Sequence, residues 1–130
     1  MKIKVVNCVE WKAPDRPGEL LRFAASFEAK GVNLDILWSC GGGGRIGATA
    51  KQPAKLSAAL RGMGVKAKSS KCFYLTGKDK AGALVGILGK LSAAKIYVDY
   101  CSALAAQGNF GAILWVKDSA FAKAKKLLKA

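Results

Sequence analysis

Asp15-Arg16-Pro17-Gly18-Glu19-Leu20 returns 64 positions later as Asp79-Lys80-Ala81-Gly82-Ala83-Leu84. The same spacing aligns the halves of the chain without a gap. Cys8 falls on Cys72, Ala29 on Ala93, Asp35 on Asp99, Gly44 on Gly108, Gly47 on Gly111, Ala48 on Ala112 and Ala58 on Ala122. An overlap of this length gives about four or five identities by chance, and roughly a dozen are present. Several are turn residues, so one backbone path is made twice. The expectation is two units, 1–68 and 69–130, in a chain of 130 residues. A unit of about 60 residues buries only a marginal core, so each is expected to need the other.

Composition bounds the class. Hydrophobic residues make up 52% and charged residues 23%, which is normal for a packed globular chain. No apolar run is long enough for a membrane helix or a signal peptide, and a cytoplasmic protein is expected. Cys8, Cys40, Cys72 and Cys101 form no Cys-x-x-Cys, and Cys8 and Cys72 lie in apolar strand-like runs. They read as buried reduced thiols. Histidine is absent, which removes the commonest general base and the commonest zinc ligand. The eight acids show no acid/base pairing, so neither catalytic residues nor a metal or other cofactor is expected, and the protein reads as a non-enzyme. Net charge is +14, read as a solvated lysine surface or as attraction to anionic partners.

Each half has the same order of elements. Ile3 to Trp11 is rich in β-branched residues and reads as a strand. A breaker cluster, Ala13 to Gly18, precedes Leu20, Phe23, Ala24 and Phe27 on one helical face, and Gly31 ends that helix. Val32 to Trp38 and Arg45 to Ala50 form a hairpin, a helix starts at Pro53, and a short fourth strand begins at Val65. Gly41 to Gly44 is a connection; no Gly-Lys-Ser/Thr follows it, so it is not a phosphate loop. The second half repeats the order with strand 71–76, helix 80–93, hairpin strands 95–103 and 109–116, and helix 119–129. It stops without a fourth strand. Lys2 and Lys4 fall on Lys66 and Lys68, so the N-terminus is expected to supply it. The fold class is α+β: two tandem ferredoxin-like βαββαβ units with antiparallel sheets and helices on one face.

Asp15-Arg16-Pro17-Gly18-Glu19-Leu20, a helix, and then Gly31-Val32-Asn33-Leu34 resemble the ACT domain, a family of small-molecule-sensing regulatory modules. Its members carry D/N-R-P-G-x-L after strand one and G-[IV]-N-[IL] entering strand two. The second copy departs from this pattern: Ala81 replaces the proline, and Lys95 and Tyr97 replace the glycine and asparagine.

The resemblance implies an amino acid or related small metabolite bound by Asp15, Arg16, Pro17, Gly18, Glu19, Leu20, Val32, Asn33 and Leu34. It also implies a homodimer and a separate regulated protein as partners, with no nucleic acid and no membrane. The chemistry suits a zwitterion. Backbone N–H groups at the helix start favour a carboxylate, and Asp15 or the Asn33 amide oxygen could accept from an ammonium. The same residues have a purely architectural reading, in which Asp15 caps the helix, Pro17 and Gly18 set the turn, and Asn33 caps the preceding helix end. Two other functions stay open. One is a structural protein-interaction module. The other is an RNA-binding module, because RNA-recognition domains share this strand order and Cys72-Phe73-Tyr74-Leu75-Thr76-Gly77 is loosely similar to their first aromatic motif.

Overall fold

The computed structural model of the chain describes residues 1–40 and 44–130; most of the Gly41–Gly44 connection lies outside the described residues. The chain forms two compact units, Asn7–Ser70 and Met1–Val6 together with Lys71–Ala130. Each is an antiparallel sheet with two helices packed on one face, the tandem ferredoxin-like arrangement.

The first unit, Asn7–Ser70, contains most of β1 (Lys2–Lys12), then α1 (Glu19–Ala29), β2 (Leu34–Cys40), β3 (Arg45–Ala50), α2 (Pro53–Gly62) and the first residues of β4 (Lys68–Lys78). β3 lies between β1 and β2, with Val9 opposite Ala48 and Trp38 opposite Gly47. Its core joins Trp11, Phe23 and Phe27 to Ile46, Leu56 and Leu60. Trp11 meets Phe27 edge-on with ring centroids 5.9 Å apart, a favoured aromatic geometry.

The second unit contains the rest of β4, then α3 (Val85–Ala93), β5 (Val98–Ala106), β6 (Asn109–Val116) and α4 (Asp118–Leu128). Phe73, Leu75, Leu91, Phe110, Leu114 and Leu128 form its core, and Ile3 and Val5 pack against them. Met1 lies 3.4 Å from where a Gly77 β-carbon would stand, the Lys4 ammonium sits 5.3 Å from the Tyr74 ring centre, and Cys72 Sγ lies 3.9 Å from the Val6 carbonyl oxygen. These three contacts descend along β4 as they ascend β1, so Met1–Val6 run antiparallel to it.

Some expectations are revised. The strand foreseen from Val65 and the one foreseen at 71–76 are a single strand, Lys68–Lys78. The helix foreseen from Lys80 begins only at Val85. Cys8 and Cys72, foreseen as reduced thiols, are fully buried and disulfide-bonded, whereas Cys40 and Cys101 are free and exposed. Among the described residues no helix is long and apolar enough to cross a membrane, and no cluster of His, Cys, Asp or Glu is arranged to hold a metal.

Candidate functional site

The loop from β1 to α1 is shaped by two constraints. Ala13 N–H donates to the Gly44 carbonyl at 2.7 Å, tying the loop to the start of β3, and Arg16 N–H donates to the Pro14 carbonyl at 2.9 Å. Gly18 then takes φ 90°, a left-handed conformation that favours glycine, and serves as the N-cap of α1. Its carbonyl accepts the first helical bond, from Arg22 N–H at 2.9 Å. No side chain caps this helix, so Asp15 does not have the capping role its position allowed. The amides of Glu19, Leu20 and Leu21 open the helix, where no intrahelical acceptor exists for them.

Glu19 is buried beneath this opening. Its carboxylate accepts from Arg22 Nε at 3.0 Å and from the second Arg22 nitrogen at 3.1 Å, with Arg16 at 3.7 Å. The Arg22 hydrogen bond holds the Glu19 carboxyl below the usual carboxylate value; burial opposes this, and the charges of Arg22 and Arg16 add to it. The position beside the helix N-terminus also suits a negative charge. Glu19 is therefore occupied, while Arg16 stays largely exposed.

The far end of α1 closes through backbone alone. Gly31 takes φ 68°, its N–H donates to the Glu28 carbonyl at 3.1 Å, and Val32 N–H reaches the Phe27 carbonyl at 2.9 Å. This paired pattern is a Schellman closure, completed by Val32 and Phe27 together in the core. The Asn33 side chain takes no part in it. The Asn33 backbone carbonyl accepts from Lys51 N–H at 3.0 Å, and the residue is exposed.

Of the nine residues read from the sequence, Asp15, Arg16, Pro17, Gly18, Leu20 and Asn33 are exposed, Leu34 is half-buried, and Glu19 and Val32 are buried. Among the described residues, the Asp15 and Asn33 side chains make no hydrogen bond or ion pair. Arg22 was not among the nine; its spacing of three from Glu19 on one helical face was the available signal.

The second unit is built differently at the matching places. Ala83 N–H donates to the Lys80 carbonyl at 3.1 Å and Val85 N–H to the Gly82 carbonyl at 3.0 Å. These turn bonds consume two amides and delay the helix. Tyr97 stands at the position of Asn33, 74% exposed and without an amide.

No family model matches the chain, and no curated protein matches it. Solved structures do. A protein from Bacteroides thetaiotaomicron is similar over 98% of this chain and 88% of its own, with a TM-score of 0.84 at 19% identity. The ligand-free regulatory subunit of aspartate kinase from Thermus thermophilus is similar over 98% of this chain and 95% of its own, with a TM-score of 0.63 at 12% identity. Escherichia coli aspartokinase III in complex with lysine and aspartate matches 98% of this chain with 32% of its own, with a TM-score of 0.60 at 13% identity. At these identities the likeness is one of fold: the chain shares the tandem ferredoxin-like architecture of these structures.

Proposed function

We propose that this chain is a regulatory module that senses a free amino acid or a related zwitterion, and that the β1–α1 loop and the entry to β2 in the first unit hold it. The observation that carries this reading is that Asp15 and Asn33 have no structural task. Gly18 caps one end of α1 and Gly31 with Val32 closes the other, which removes the architectural explanation for both polar side chains. The unpaired amides of Glu19, Leu20 and Leu21 and the exposed Arg16 offer donors to a carboxylate. Asp15 and the Asn33 amide oxygen offer acceptors to an ammonium. The fold shared with aspartate kinase regulatory subunits, one relative being in complex with lysine and aspartate, supports the same reading. The chain acts on another protein, as a homodimer and without chemistry of its own.

The test is a thermal-shift screen of the purified chain against the twenty amino acids. A ligand that binds only the native state raises stability by RT ln(1 + [L]/Kd), about 2.7 kcal/mol at a hundredfold excess over Kd. A reproducible shift with one amino acid or a small related group is expected. A flat response across all twenty at millimolar concentration would overturn the proposal.

A further inference from the structure

The positive charge is unevenly shared between the two units. The first unit, Asn7–Ser70, holds ten lysines and arginines against five acids. Its acids are used: Glu19 meets Arg16 and Arg22, Glu10 meets Arg45, and Asp35 meets Lys51. The second unit holds twelve lysines, no arginine and three aspartates. Among the described residues, all four ion pairs lie in the first unit, and Asp79, Asp99 and Asp118 take part in none.

Half of the second unit's lysines gather on α4 and the end of α3. α4 turns Ala124 and Leu128 into the core, while Lys123, Lys125, Lys126 and Lys129 are exposed. The Lys123 ammonium donates to the Ala94 carbonyl at 3.1 Å, next to Lys95 in the chain and one turn beyond Lys90. Lysines three and four apart on one helix repel each other. Lys123, Lys126 and Lys129 are so spaced, as are Lys125 and Lys129, and no acid stands among them. A surface that serves solubility alone mixes both signs.

The helix closures carry a second, independent sign. In the first unit Gly64 N–H donates to the Arg61 carbonyl at 2.9 Å and Val65 N–H to the Leu60 carbonyl at 3.1 Å. In the second, Lys129 N–H donates to the Lys126 carbonyl at 3.3 Å and Ala130 N–H to the Lys125 carbonyl at 3.1 Å. The closure is the same, and so is the left-handed backbone, at φ 71° for Gly64 and 56° for Lys129. Gly31 and Lys95 repeat the contrast at the ends of α1 and α3, at φ 68° and 58°. A side chain disfavours this conformation by roughly five- to thirtyfold. A cation at a helix C-terminus recovers about two- to fivefold. The second unit thus places lysine twice where glycine closes the helices of the first, against its own stability.

We infer that the lysine face of α4, with Lys95 at its border, is the docking surface for an acidic patch on the protein that this chain regulates. Charge complementarity names the partner. Nucleic-acid surfaces add arginine forks or aromatic stacking to lysine. This unit has no arginine, and the exposed arc of α4 has no aromatic residue. Single lysine charges on a convex helix steer an acidic protein and release it again, as a reversible regulator requires. The inference rests on the reading that the chain acts on another protein, and not on the amino-acid site.

The experiment is fluorescence anisotropy of the full chain with labelled polyglutamate, across a salt series, with a DNA duplex of matched charge as competitor. Wild type is expected to bind polyglutamate, more weakly as salt rises. Lys125→Gln, Lys126→Gln and Lys129→Gln together are expected to weaken it at least about tenfold, with native circular dichroism. Lys55→Gln, Lys66→Gln and Lys68→Gln remove the same charge from exposed positions of the first unit and are expected to change it less than about threefold. Lys129→Gly alone gives opposite signs, a higher thermal midpoint and weaker binding, whereas a lysine that only closes the helix would leave binding unchanged. No binding by wild type, equal losses in the two triple variants, or unchanged binding in Lys129→Gly would overturn this face. Displacement of polyglutamate by the duplex would overturn an acidic protein as its partner. The amino-acid screen reads a different surface, so a flat screen overturns sensing alone, and a failure here leaves the amino-acid site standing.

Discussion

Gly44 is pressed against Ala13: its carbonyl accepts the Ala13 amide at 2.7 Å, and a β-carbon on it would collide with the Ala13 carbonyl oxygen. The start of β3 thereby fixes the loop that presents Asp15. Gly44 also takes φ 64°, so the position is constrained both by space and by backbone conformation.

Gly44→Ala is therefore expected to destabilise the chain by about 2–3 kcal/mol, from left-handed strain and steric displacement together. Gly64→Ala is the comparison. Gly64 has φ 71° but open space around it, so only the strain of about 1 kcal/mol applies. Chemical denaturation of the two variants measures the difference. Equal losses would show that the Ala13 contact carries no energy of its own.

Lys95 is the converse case. It occupies the left-handed position that closes α3, at φ 58°, where the first unit has Gly31. Its N–H donates to the Ser92 carbonyl at 2.9 Å and Ile96 N–H to the Leu91 carbonyl at 2.9 Å, the same Schellman closure. Lys95→Gly is expected to stabilise the chain by about 1 kcal/mol and raise the thermal midpoint by several degrees. A lower midpoint would mean that the lysine side chain contributes more than its backbone costs.

Glu19 gives a pH dependence with a definite sign. Its folded-state pKa lies below the ordinary value of 4.5, chiefly through the Arg22 hydrogen bond. The stabilisation is present above the unfolded value and is lost as pH falls through the folded one. Glu19→Gln should flatten the acid limb of the stability curve below about pH 4.5. Urea unfolding of wild type and variant between pH 3 and 7 reads this. Parallel curves over the whole range would remove Glu19 from the acid response.

Much of the architecture was legible because the same turn residues recur at one spacing. Gly31 announced the end of α1. The continuity of Lys68–Lys78 was less visible, because Lys68, Ser69, Ser70 and Lys71 interrupt the apolar pattern without a turn residue. The site was legible as a motif, but the roles inside it were not. Asp15 looked like a helix cap, yet Gly18 takes that place through its left-handed backbone, which composition does not reveal. Leu20 was expected on the apolar face of α1 and is 41% exposed. Periodicity defines a face but not how far the neighbouring layer extends over it. For the same reason the exposure of β5 could not be read from Val98–Ala106, whose residues would suit a covered strand equally well.

The central claim is that one ligand site per chain lies in the first unit, at Asp15 and Asn33. Calorimetric titration of the best amino acid from the screen into wild type, Asp15→Ala and Asn33→Ala tests it most directly. Loss of one charge-assisted or buried hydrogen bond costs roughly 1.5–3 kcal/mol, so each variant is expected to bind about ten- to a hundredfold more weakly with unchanged thermal unfolding. The expected stoichiometry is one ligand per chain or fewer, since the second unit has turn-bonded amides and Tyr97 in place of Asn33. Unchanged affinity in both variants, or two equivalent independent sites per chain, would contradict it.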